Sequence, residues 1–109
     1  MTQLKELEQL LVDFRDQRDW QQFHNPKDLA IALSREASEL LEAFLWKPAE
    51  EGRIEKVKEE LADVFAYGLL LAHHYNLDVE KIIRDKVALN ASKYPAEKAK
   101  GNATKYNEL

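Results

Sequence analysis

The sequence predicts an all-α fold: an antiparallel four-helix bundle that assembles into an oligomer. Three observations lead there. Apolar residues recur at a spacing of about 3.6 along almost the whole chain. Only three glycines and three prolines punctuate its 109 residues, so the helices should be long and the connections short. The third helical segment is apolar around most of its circumference between Leu61 and Ala72, which a small protomer covers poorly by itself.

The first helix should begin after Thr2, whose hydroxyl can accept from a free first-turn amide. Leu4, Leu7, Leu10, Leu11 and Phe14 form its apolar stripe, and it gives way around Trp20 to a connection over 21–25. Asn25-Pro26 starts the second helix, with asparagine as N-cap and proline where no amide donor is needed. Leu29, Leu33, Ala37, Leu40 and Phe44 make its stripe, and Pro48 stops it. A polar loop over 47–52 leads to the third helix, which carries Ile54, Val57, Leu61, Val64, Phe65, Gly68 and Leu71 and runs to about Tyr75. Asn76-Leu77-Asp78 is a turn ending in another N-cap. Val79, Ile82, Ile83 and Val87 mark the fourth helix, which ends before Pro95. The expected division is a helical domain over 1–95 and a polar, lysine-rich tail over 96–109.

Composition narrows the function. At 45% hydrophobic and 33% charged residues, the chain can form a core and is too apolar for disorder. A net charge of -4 without a basic patch argues against binding a nucleic-acid polymer. It does not argue against a nucleotide whose charge a metal offsets. The lack of cysteine removes disulfides and thiolate metal sites. The polar start has no signal-peptide core, and Asp63 breaks the longest apolar run. No membrane association is expected, and the expected location is cytoplasmic.

Two carboxylate pairs stand out, Glu36-x-x-Glu39 and Glu60-x-x-Asp63. Residues i and i+3 share a helix face, so each pair aims its oxygens in one direction. One such pair is ordinary on a solvated face. Here the pairs lie on consecutive helices that a hairpin would bring together, and Asp63 interrupts an apolar run where an unpartnered carboxylate is costly. Converging hard oxygen donors suit a hard divalent cation, Mg2+, with Mn2+ as a substitute.

Lys86 and Asn90 occupy positions where the apolar stripe of the fourth helix should continue. In isolation they are a snorkelling lysine and a satisfied core asparagine. Beside a carboxylate-bound metal they would be a cation and an amide facing a polyphosphate. Trp20 and His24 precede the second helix, Trp46 follows it, and Tyr67 comes one turn after Asp63. Loop tryptophans are commonly peripheral core residues, but two that bracket the helix of the first carboxylate pair can also stack on a planar base. His73-His74 is read as structural. No glycine-rich phosphate loop, Glu-x-x-His pair or serine or cysteine triad is present.

Several of these stretches resemble one family. They are Arg18-Asp19-Trp20-Gln21-Gln22-Phe23-His24 followed by Pro26, Glu36-Ala37-Ser38-Glu39-Leu40, Phe44-Leu45-Trp46, Glu59-Glu60-Leu61-Ala62-Asp63-Val64, and Lys86-x-x-x-Asn90-x-x-Lys93-Tyr94-Pro95. Together they resemble the dCTP pyrophosphatase branch of the MazG-like nucleotide pyrophosphohydrolases, over nearly the whole chain. Lys93 stands where an arginine is common, which weakens a bidentate phosphate contact there. The resemblance implies an enzyme that cleaves a deoxynucleoside triphosphate, dCTP or a related base, into the monophosphate and pyrophosphate in a house-cleaning role.

On that reading Glu36, Glu39, Glu60 and Asp63 bind Mg2+, and Glu39, farthest from the core stripe, doubles as general base. Lys86 holds the phosphates, with Asn90 near the sugar or phosphate. Trp20, His24 and Trp46 enclose the base, and Tyr67 lies against the sugar or base. The resemblance also points to a homo-oligomer, a tetramer or alternatively a dimer. Two rivals remain: a sibling enzyme acting on dUTP or another nucleoside triphosphate, and a non-catalytic helical module for protein contacts.

Overall fold

Three helices start at the residues that the sequence marks as caps. Thr2 Oγ1 accepts from the Lys5 amide at 3.3 Å, Asn25 Oδ1 from Asp28 at 2.9 Å, and Asp78 Oδ1 from Lys81 at 3.2 Å. Each bond satisfies a first-turn donor that the helix cannot satisfy itself. The computed structural model describes residues 2–108. Its helices are α1 (Gln3–Gln17), α2 (Pro26–Leu40), α3 (Ile54–His74), α4 (Val79–Lys93) and the single turn α5 (Ala96–Ala99). Short 3-10 turns cover Gln21–Phe23, Leu41–Phe44, Ala49–Glu51 and Tyr106–Glu108, and no strand occurs among the described residues. The fold is all-helical, as expected. No helix among the described residues is long and apolar enough to cross a membrane.

Two helix ends close in the same way. Asp19 follows α1 with φ 54, its amide bonds to Asp16 O at 3.0 Å, and the Trp20 amide reaches back to Arg15 O at 3.1 Å. Asn76 does the same after α3, with its own amide on His73 O and that of Leu77 on Ala72 O. A left-handed residue lets the chain fold back over its own last turn and consume the orphan carbonyls. After α1 this aims Trp20 back at Phe14, with ring centroids 5.8 Å apart in an edge contact.

The second helix ends differently from its sequence pattern. Its α geometry stops at Leu40 and tightens into the 3-10 turn that carries Phe44. The Phe44 ring lies against Gly52 so closely that a Cβ there would collide with it. The Arg53 amide then bonds to Ala43 O at 3.1 Å and closes the hairpin. From that point α2 and α3 run antiparallel. Glu36 meets Glu60 and Asp63, Leu33 faces Gly68, and Leu29 joins Leu70 and Val12 in the buried core.

The α1 helix also packs on α3, through a face rotated from the stripe expected. Glu8 and Val12 are buried, and Leu11 packs against the core. Leu10 is 65% exposed, and Leu7 and Phe14 are about half exposed. The buried Glu8 is not orphaned, since its Oε1 lies 3.0 Å from His73 Nδ1. His73 is structural, as its position suggested: it ties α3 to α1.

Residues from Asp78 onward form a separate unit. Within it no residue of α4 is buried. The chain returns to α4 at its end, where Tyr106 meets the edge of Tyr94 at 6.0 Å and lies 4.8 Å from Lys93 Nζ.

Candidate functional site

The hairpin register brings carboxylates together at one level of α2 and α3. One oxygen each from Glu36, Glu60 and Asp63 lies within 4.8 Å of the others. Glu36 and Glu60 are buried. Asp63 is exposed, contrary to the apolar run around it, because that side of α3 opens onto a cleft. Glu39, one turn along α2, is half-buried and interacts with both Glu36 and Glu60.

Carboxylates this close cannot all ionise without a cation. Glu36 bears the consequence. The neighbouring Glu60 carboxyl, burial and then Glu39 push its pKa up to about 7. Glu60 moves the other way, because the Lys56 ammonium lies 2.9 Å from its Oε1 and holds the carboxyl below the usual carboxylate range. Glu60 in turn raises Lys56, which also reaches Glu42 at 3.8 Å. The second oxygen of Glu60 is buried without a hydrogen-bond partner. Sequence reasoning missed Lys56, although its i,i+4 spacing to Glu60 was visible.

Asp63 also lines a cleft of about 160 Å3 between α1, the following loop and α3. Trp20, His24 and Tyr67 line it too, so these three expected residues meet one of the carboxylates. Leu11, Phe14, Ala66 and Leu70 supply the apolar wall, and Arg15 is the further polar residue. His24 Nδ1 is buried and unpartnered. Burial, with the Arg15 charge nearby, holds the imidazole below its usual range, so it is neutral at pH 7. Trp46 lies outside this cleft, 94% exposed and with φ 62. Lys86 and Asn90 lie one turn apart on α4, in the second unit, and both are exposed.

The MazG-like family profile matches residues 31–109, from α2 through the last described turn. The chain belongs to the MazG-like family. It is 35% identical to dCTP pyrophosphatase 1 of Bos taurus and 36% identical to that of Homo sapiens. Each match covers 97% of this chain, and 68% and 67% of the two relatives. Among solved structures it is similar to a pyrophosphatase from Archaeoglobus fulgidus, with a TM-score of 0.80 and 36% identity. That match covers 87% of this chain and 94% of the other.

The acidic cluster of this MazG-like chain fits a hard divalent cation. Its donors are all carboxylate oxygens, two of the groups are buried, one holds a proton near neutrality, and one oxygen lacks any partner. A cation at this point would satisfy the orphan oxygen and displace the proton.

Proposed function

We propose that this chain is a nucleoside triphosphate pyrophosphohydrolase acting on dCTP or a related, including base-modified, deoxynucleotide. It would yield the deoxynucleoside monophosphate and pyrophosphate. The observation that carries this reading is the double position of Asp63, which belongs to the carboxylate cluster and also lines the aromatic cleft. A phosphate held at the cluster would thus leave the attached base beside Trp20, His24 and Tyr67. The kinship with dCTP pyrophosphatase 1 and with the Archaeoglobus pyrophosphatase supports the same chemistry.

Glu36, Glu39, Glu60 and Asp63 would hold Mg2+, with Mn2+ able to substitute. When bound, such a cation neutralises phosphate charge and lowers the pKa of coordinated water. The remaining steps belong to the chain. Glu39, the least buried of the α2 pair, takes the proton from the attacking water as general base. The bond between the α- and β-phosphates breaks, and pyrophosphate leaves. Trp20 and Tyr67 offer ring faces to the base and sugar, and His24 offers its free nitrogen. Trp46 would close over the base from outside the cleft. Lys86 would hold the phosphates, with Asn90 beside the sugar or phosphate.

The working unit is a homo-oligomer, a tetramer or alternatively a dimer, built on a four-helix antiparallel bundle over 1–95 with 96–109 as its tail. What supports this is the apolar groove lined by Leu7, Leu10, Leu11, Ala62, Phe65 and Leu69, in which Phe65 is 64% exposed. Apolar surface of this kind is commonly covered by another protomer. The location proposed is cytoplasmic, with the nucleotide pool.

A panel of common and modified deoxynucleoside triphosphates with Mg2+, followed by pyrophosphate release, tests the function. Metal-dependent release from dCTP is expected. No release from any member would leave the non-catalytic alternative standing.

A further inference from the structure

Arg15 lines the cleft and has no part in the mechanism above. It lies one turn after Leu11, on the α1 face turned toward α3, and its side chain is only 15% exposed. Its guanidinium offers five N–H donors to partners. Among the described residues it has one, the neighbouring Asp16, whose Oδ1 accepts from Nε and lies 2.9 Å from Nη2. That contact uses one side of the planar fork. Nη1, and the N–H of Nη2 that points away from Asp16, have no protein partner among the described residues. The Arg15 carbonyl also holds the Trp20 amide, so guanidinium and indole are fixed to one helix end.

We infer that Arg15 is a specificity-determining residue that recognises the cytosine edge, its free N–H pair donating to the adjacent N3 and O2 acceptors. The inference rests on the proposed nucleotide site. The chemistry separates cytosine from uracil and thymine without any difference in ring size. Cytosine presents two neighbouring acceptors, which a guanidinium matches bidentately. Uracil and thymine place an N3–H donor there, and arginine has no acceptor to meet it. A substituent at C5 lies off this edge, so modified cytosines would be recognised as well. The second polar group of the cleft agrees, because the buried, unpartnered Nδ1 of His24 is left for a ligand atom.

The test compares wild type with Arg15→Met, which keeps the aliphatic stem, and Arg15→Lys, which keeps the charge without the fork. Circular dichroism verifies that each folds. Two readouts are taken: kcat/KM for dCTP and dUTP, and Kd for dCMP and dUMP by calorimetry. Wild type should favour the cytosine member in both. Arg15→Met should lower the dCTP value roughly 10- to 100-fold, and the dUTP value far less. Arg15→Lys should not restore the preference. Equal losses for the two bases, a preference retained by Arg15→Lys, or equal binding of dCMP and dUMP by wild type would each overturn the assignment. Absence of all hydrolysis would refute the proposed enzyme function. A dCMP preference abolished in Arg15→Met would then still support the assignment.

Discussion

The carboxylate cluster and the aromatic cleft share Asp63 but are built on opposite principles. The cluster sits on two helices at regular spacing, and its groups conflict: three acidic side chains crowd together, relieved by one lysine and one retained proton. The cleft draws on a helix end, a 3-10 turn and a second helix, and its groups are underused, with an unpartnered imidazole nitrogen and a half-used guanidinium. Crowded charge marks where a cation is wanted. Unused donors and acceptors mark where a neutral, shaped ligand is wanted.

The most severe way to break this comparison is at the shared residue. Asp63→Asn should cut dNTP turnover by about 100-fold or more while leaving the helical spectrum unchanged, since it removes a charge with little change in volume. Near-normal turnover would separate the cluster from the chemistry.

Within the cluster, two neutralising changes should act in opposite directions on the metal-free protein. At pH 8, above the Glu36 pKa of about 7, Glu36→Gln should raise its melting temperature by removing a like charge, and Lys56→Gln should lower it by leaving Glu60 uncompensated. Both shifts should shrink when Mg2+ is added. If both variants shifted the same way, the charge conflict would not be the source of the cluster's energetics.

The same conflict predicts a pH dependence. Glu36 in the folded state titrates at about 7, above its ordinary value of 4.5. Its contribution to metal-free stability is therefore full below about 4.5 and is lost as pH rises through about 7. Melting in EDTA between pH 5 and 8 should reveal that decline. With Mg2+ the trend should reverse, because coordination requires the ionised form. A flat metal-free profile would refute the pKa assignment.

The smallest effects belong to the tryptophans and sharpen the cleft side. Trp20→Ala should weaken nucleotide binding by about 1–3 kcal/mol, and Trp46→Ala by a similar amount if it closes over the base. Only Trp20→Ala should also lower protomer stability, since Trp20 packs on Phe14 whereas Trp46 is 94% exposed. Trp46→Ala should stay within about 0.5 kcal/mol of wild type in urea unfolding.

What was legible in the sequence follows the same division. The cap residues Thr2, Asn25 and Asp78 and the two carboxylate pairs were readable because each depends on spacing within one helix. Trp20, His24 and Tyr67 could be named from local context, but their meeting depends on the turn at Asp19 and on how α1 seats on α3. Arg15 was hidden for that reason. The expected stripe of Leu4, Leu7, Leu10, Leu11 and Phe14 took in apolar residues alone, whereas the observed face turns through Glu8, Leu11 and Val12 and carries Arg15, one turn after Leu11, into the cleft. Periodicity finds the most apolar face of a helix. It does not say which face is covered within one protomer.

The closure at Ala43 and Arg53 works as an indexing pin. Glu36 lies seven residues before the pinned carbonyl, and Glu60 seven residues after the pinned amide. Both are two helical turns away, so they arrive level with each other. Chain inserted between Leu45 and Glu51 lies outside the pin and leaves that alignment intact. One residue added between Arg53 and Glu60 turns everything beyond it by about 100° and carries Glu60 and Asp63 off the face opposite Glu36. Loop length at that hairpin is thus open to variation, while the count from pin to carboxylate behaves as a reading frame.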